Sequence, residues 1–167
     1  MASHKQLIIV RHGKSSWKYS DISDIDRHLK ERGIHDAYTM ADRLKGRKLF
    51  PELIISSPAT RALHTAMIFC RTLSHPLEKV QLADTFYQGD EADVLDVIKQ
   101  TPDSVHTLMI FGHNPTFTDL ANHFFSQHTD NLPTAGVAAL KFEAGQWADI
   151  EKNKVIEAWM DYPKKNH

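Results

Sequence analysis

The chain has 167 residues, 41% hydrophobic and 25% charged, with a net charge of −1 and a pI near 6.8. That balance argues against a nucleic-acid footprint or a polybasic membrane patch, and no apolar run approaches the ~18 residues of a membrane span. The length fits one domain over 1–167, and the start, Met1-Ala2-Ser3-His4-Lys5-Gln6, lacks a signal-peptide profile, so the cytoplasm is the expected compartment.

Leu7–Val10 predicts a buried strand, closed by Arg11-His12-Gly13. The polar stretch Ser15–Arg27 predicts a mobile loop in which Asp21, Asp24 and Asp26 are solvated. Ile34, Ala37, Tyr38, Ala41 and Leu44 recur at helical spacing, predicting an amphipathic helix over Glu31–Lys45 that ends at Gly46. Leu53–Ser56 reads as a second strand, and Pro58 suits the first turn of a helix running to about Leu73. Cys70 is the only cysteine, which excludes intramolecular disulfides, and it shares an apolar helical face with Leu63, Ala66 and Met67 as an inert buried thiol.

Further strands are expected at Val80–Ala83 and Thr107–Phe111, with helices over Glu91–Gln100 and from Pro115 to about Ser126. Gln127–Thr134 reads as another loop. Val137–Phe142 and Val155–Trp159 form an expected antiparallel edge hairpin, in which Trp147 and Trp159 pack; Lys164-Lys165 reads as a frayed tail. Strands alternating with helices predict a three-layer α/β/α sandwich around a mostly parallel sheet. The stretch between the third and fourth strands is too short for a lid subdomain.

Three strand ends carry chemistry. Arg11-His12-Gly13 follows the first, Ser56-Ser57-Pro58 with Arg61 follows the second, and Gly112-His113-Asn114-Pro115 follows the fourth. In open α/β sheets ligands bind beyond the carboxyl ends of the strands. If these strands are neighbours, two arginines, two histidines and two helix N-termini converge on one anion-binding site. A neutral imidazole there is a nucleophile, and fixed cations stabilise the equatorial oxygens of a transferring phosphoryl group. No Walker loop or metal-ligand spacing is present, so no cofactor and no metal are expected. His123 and His128, five apart, are poorly spaced as ligands. The other histidines (His4, His28, His35, His64, His75, His106, His167) read as solvated or satisfied polar contacts. Trp17 reads as a packing residue on the pocket rim.

Arg11-His12-Gly13, Ser57-Pro58-Ala59-Thr60-Arg61-Ala62-Leu63-His64-Thr65 and Gly112-His113-Asn114-Pro115 together resemble the signature of the histidine phosphatase superfamily. Leu29-Lys30-Glu31-Arg32-Gly33, with Ala37 following, is similar to that family's segment before its first helix. The short length and Arg11-His12-Gly13-Lys14-Ser15-Ser16-Trp17 resemble the SixA-type phosphohistidine phosphatases most. The resemblance implies a phosphoglycerate mutase-like fold, with His12 as the phosphorylated nucleophile and Arg11, Arg61 and His113 as the phosphoryl-binding pocket. Lys14 and Lys18 depart from the Glu-Ser-x-Trp-Asn of the mutase branch.

That branch also carries a glutamate general acid beyond the third strand. Here Asp84 is the nearest equivalent, with Asp90, Glu91 or no acid as alternatives. A departing imidazole is stable when neutral, its conjugate acid having a pKa of about 6.5, so a phosphohistidine phosphatase manages without a strong acid. The expected activity is therefore phosphatase action through a phosphohistidine on His12. The expected partner is a phosphorylated protein such as a histidine-transfer domain, with a small phosphomonoester (a sugar or nucleotide phosphate) as the alternative. A non-catalytic phosphoprotein-binding module on the same fold is the remaining rival. The sequence leaves the oligomeric state open.

Overall fold

A computed structural model describes residues 3–165; Met1, Ala2 and His167, named above, lie outside them. Six strands form one sheet: β1 (His4–Arg11), β2 (Leu53–Ser56), β3 (Gln81–Leu82), β4 (Thr107–Gly112), β5 (Val137–Glu143) and β6 (Val155–Asp161). Their order is β3-β2-β4-β1-β5-β6. The pairs β3–β2, β2–β4 and β4–β1 are parallel, and β5 and β6 add the expected antiparallel hairpin beside β1. Five helices, α1 (Glu31–Gly46), α2 (Thr60–Leu73), α3 (Thr85–Gln88), α4 (Glu91–Lys99) and α5 (Thr116–Phe124), pack on the two faces.

The continuous apolar runs of β1 and β4 follow from burial on both faces. Leu7 and Ile9, with Leu108 and Ile110, point into a core shared with Phe117, Leu120 and Phe124 of α5. Ile8 and Val10, with Met109 and Phe111, point the other way, toward Met40 and Leu44 of α1 and Ile68 and Phe69 of α2. Cys70 lies in this second core, and burial pushes its thiol up to about 11, so it is the inert residue expected. Trp147 is fully buried, its indole N–H donating to the Val105 carbonyl, and Trp159 packs partly buried against the second core.

Four expectations give way to local chemistry. The second helix begins at Thr60 rather than Pro58, because the Ser57 hydroxyl accepts from the Ala59 amide and holds Pro58 in a turn. α3 is an element the sequence pattern did not indicate, four residues being too few for a visible helical period. The loop at Gln127–Thr134 is anchored rather than mobile. Asn122 exchanges two hydrogen bonds with Thr129, and Leu132 is fully buried with its amide on the Thr118 hydroxyl. The tail is held as well: Arg43 donates to Asp161 Oδ1 and to the Tyr162 and Pro163 carbonyls, and Lys165 bonds back to Tyr162 and Met160.

One close approach fixes the loop after β1. A Cβ on Gly33 would fall inside the Lys14 carbonyl oxygen and 2.8 Å from the Lys14 nitrogen, and a Cβ on Gly13 would lie 2.7 Å from the Gly33 oxygen. Both obstacles are backbone, so neither can swing aside. Gly33→Ala is therefore expected to destabilise the protein by about 1–3 kcal/mol as overpacking, even though alanine is favoured over glycine within a helix by about 1 kcal/mol. Denaturant unfolding reads this directly; an unchanged or raised midpoint would contradict the contact.

Candidate active site

The parallel ladder carries three strand ends to one place. Arg11 pairs with Gly112 and Ser56 with Phe111. The ladder runs one step further: the His12 amide donates to the Gly112 carbonyl at 3.1 Å and the Ser57 amide to the Phe111 carbonyl at 2.9 Å. β4 thus holds His12 on one side and Ser57 on the other, with His113 between them. The His12 and His113 rings are 5.1 Å apart, and His113 Nε2 lies 2.8 Å from the Ser57 hydroxyl.

His12 is nearly buried, and its Nδ1 is 2.6 Å from the Gly13 carbonyl oxygen. A carbonyl only accepts, so Nδ1 carries the proton and Nε2 keeps its lone pair. Burial pushes the His12 pKa down to about 4; the Arg61, Arg11 and Arg27 charges act in the same direction, against the Gly13 carbonyl. His113 is pushed down to about 3, first by burial and then by His12 and Arg61. Both rings are neutral at pH 7.

The arginines are held from outside the strand ends. Arg11 donates through Nη1 to the Leu132 carbonyl. Arg61, nearly buried in the first turn of α2, donates through Nη1 to the Asp24 carbonyl at 2.7 Å and through Nη2 to Asp24 Oδ2 at 3.1 Å. The Nε–H groups of both arginines are buried without a protein acceptor among the described residues. Asp24 also accepts from Tyr87 at 2.7 Å and from Arg27 Nε at 3.1 Å. The Tyr87 hydroxyl, then Arg27 and Arg61, hold the Asp24 carboxyl well below the usual range although burial opposes them. Tyr87, from α3, sets its ring edge-on to His113 with centroids 5.5 Å apart.

A cleft of about 300 Å³ opens beside His12, lined by Arg11, Lys14, Arg27 and Lys30 among others and, among the described residues, by no carboxylate. Two neutral imidazoles thus lie beside two arginines whose Nε–H groups lack acceptors among the described residues, a donor set of the kind that suits a tetrahedral dianion.

The family description "Histidine phosphatase superfamily (branch 1)" matches residues 7–90. An uncharacterised Mycobacterium tuberculosis protein is 31% identical over 154 residues, spanning 85% of this chain and 92% of its own length. The chain belongs to the histidine phosphatase superfamily. Among solved structures, an Agrobacterium tumefaciens protein named as phosphohistidine phosphatase SixA superposes with TM-score 0.75 at 27% identity, over 81% of this chain and 90% of that one. The protein histidine phosphatase SixA complexed with tungstate shares the fold with TM-score 0.77 at 22% identity, over 95% and 97% of the two chains. The chain is accordingly a phosphatase-type hydrolase with a SixA-like fold.

The structure brings Arg11, His12, Arg61 and His113 to one place beyond the strand ends. The acid candidates stand apart from it. Asp84 is exposed at the head of α3, outside the hydrogen bonds that join the site. Asp90 caps α4 in a reciprocal pair with Asp93, and Glu91 pairs with His123 at 3.1 Å. Among the described residues no group of three or more His, Cys, Asp or Glu is arranged to hold a metal ion, and no helix is long and apolar enough to cross a membrane.

Three readings need correction. Asp24 is the counterion of Arg61 and Arg27, not merely a solvated loop charge, while Asp21 and Asp26 remain exposed. The Ser15–Arg27 loop is pinned at its base, where buried Arg27 bonds the Ser15 hydroxyl at 2.7 Å and Ser15 bridges to Leu29. Trp17 is not packed: it is 73% exposed, one face covered by the Arg27 guanidinium 3.5 Å from the ring centroid. His75 is a buried polar contact, its ring hydrogen-bonded to the Pro51 carbonyl while Nε2 has no partner among the described residues.

The neutral rings make a pH prediction. Folded pKa values below the ordinary 6.5 mean that the unfolded state binds more protons, so this contribution to stability is present above pH 6.5 and lost as pH falls toward 4. NMR titration should find neither His12 nor His113 protonating between pH 8 and 5. A midpoint near 6.5 for either ring would contradict its burial.

Proposed function

We propose that this chain is a protein phosphohistidine phosphatase that works through a phosphohistidine formed on His12. The observation carrying this is the His12 tautomer: with Nδ1–H committed to the Gly13 carbonyl, the lone pair on Nε2 belongs to a neutral imidazole beside the arginine-lined cleft. Nε2 attacks phosphorus in line, and the N–P bond forms as the bond to the leaving group breaks. Arg11, Arg61 and the His113 ring stabilise the equatorial oxygens. Water then attacks phospho-His12, releasing phosphate and restoring the neutral ring.

Two features favour a phosphorylated histidine in a protein as the donor. The alternatives for a general acid are exposed (Asp84) or engaged elsewhere (Asp90, Glu91), and a donor phosphohistidine that carries a proton on its other ring nitrogen releases a stable neutral imidazole without strong acid assistance. The region between β3 and β4 is filled by α3 and α4, so the cleft stays open at the surface. Trapping the phosphoenzyme from a phosphorylated histidine-transfer domain and mapping the label tests both parts. Label on His12, with kcat/KM for that domain far above a panel of sugar and nucleotide phosphates and insensitive to EDTA, is expected. Small esters winning by orders of magnitude would replace the protein substrate with the small-ester reading; label elsewhere would remove His12 as nucleophile.

A further inference from the structure

A second groove, about 220 Å³, adjoins the cleft and shares Lys14 and Thr134 with it. Its walls are Pro133, Tyr162 and Pro163, and its cations are Lys14, Arg32 and Lys164. The wall contributed by the C-terminal segment is fixed in place. Arg43 donates to Asp161 Oδ1 and to the carbonyls of Tyr162 and Pro163, Asp161 is nearly buried, and the Tyr162 amide donates to Asp161 Oδ1. The opposite side is equally constrained, since Gly33 and the Lys14 backbone are in closest contact.

The charges in this groove do not cancel. Asp36 is its one carboxylate among the described residues, and it is already engaged by Arg32 Nε at 3.2 Å. Lys14 and Lys164 are exposed and form no ion pair among the described residues. The chain as a whole carries a net charge of −1, so this excess of cations is local. A phosphoryl group is already served by Arg11, Arg61 and His113, which leaves Lys14 and Lys164 available for a second negative charge. Pro133, Tyr162 and Pro163 offer apolar surface for a short methylene stem.

We infer that this groove is a specificity subsite for an acidic side chain of the substrate protein flanking its phosphorylated histidine. This rests on the phosphohistidine reading above. The carboxylate reaches Lys14 and Lys164 while its methylene stem lies along Tyr162 and the two prolines. Because Lys14 lines both cavities, the carboxylate sits next to the phosphoryl group rather than at a distant docking face.

The test uses the full chain and synthetic phosphohistidine peptides that differ only in a glutamate, glutamine or lysine beside the phosphorylated residue, with p-nitrophenyl phosphate as reference. The kcat/KM order glutamate over glutamine over lysine is expected, with glutamate about tenfold above glutamine. Lys164→Glu should lower the glutamate-to-lysine ratio about a hundredfold, and Tyr162→Ala should lower the peptide-to-reference ratio through KM rather than kcat. Equal turnover of the three peptides, or ratios unmoved by Lys164→Glu, would overturn the subsite while leaving the phosphohistidine reading intact. If no peptide reacts while p-nitrophenyl phosphate does, both fall. A small bisphosphorylated ester that outpaces the peptides and is the substrate hurt by Lys164→Glu would overturn the protein occupant.

Discussion

His12→Ala should lower phosphatase turnover by about 10⁴–10⁶-fold, the scale on which removal of a covalent nucleophile is felt, while inorganic phosphate binds within about tenfold of the unmodified protein. The two readouts separate because they depend on different groups. Binding draws on Arg11, Arg61 and the cations of the cleft, which are positioned by Leu132 and Asp24 rather than by the His12 ring. Turnover depends on the Nε2 lone pair, which no neighbour replaces: His113 has its Nε2 at the Ser57 hydroxyl and its Nδ1 buried. Stopped-flow turnover and phosphate competition on the same preparation check both. Substantial residual turnover would transfer the nucleophile's role to another residue, and a large loss of phosphate affinity would make His12 chiefly a binding group.

Arg61→Ala is expected to cost about 10²–10³ in kcat, the usual consequence of removing one donor aimed at developing charge in a buried site. Arg61→Lys should recover little of it. A single ammonium cannot hold the Asp24 carbonyl and carboxylate at once and still present a planar edge to phosphoryl oxygens. Stability should change far less than activity, because the Asp24 side chain left behind is 50% exposed and keeps Tyr87 and Arg27 as partners. A parallel loss of stability and activity would mean that Arg61 serves the fold instead.

Arg11, His12, Arg61 and His113 were legible in the sequence because each sits one or two residues past an apolar run or in the first helical turn after one. Parallel strands that end together bring such positions together, so a pattern local in sequence became a statement about space. The mostly parallel sheet and its antiparallel hairpin were legible for the same reason. Asp24 and Tyr87 were not. Their partners are 37 and 63 residues away along the chain, joining the Ser15–Arg27 loop, α2 and a four-residue helix. No periodicity marks a contact between a loop and so short a helix. An aspartate among three in a polar stretch looks solvated until tertiary structure brings an arginine to it. The anchoring of Gln127–Thr134 was hidden likewise, since Thr118 and Asn122 of α5 supply its hydrogen bonds.

The position of β4 between β1 and β2 has a consequence for when the candidate site is assembled. Strands in a sheet sit about 4.8 Å apart, so until β4 inserts, His12 and Arg61 belong to segments with a whole strand's width missing between them. β4 comes late, at Thr107–Gly112, and pairs with β1 across about a hundred residues of chain. Such long-range parallel pairing is slow to form. A chain emerging from the ribosome therefore displays the arginine-histidine segment of β1 well before His113 can stand beside it. The two segments are joined when the fourth strand slots in between them, and Arg11 gains its Leu132 contact only after that.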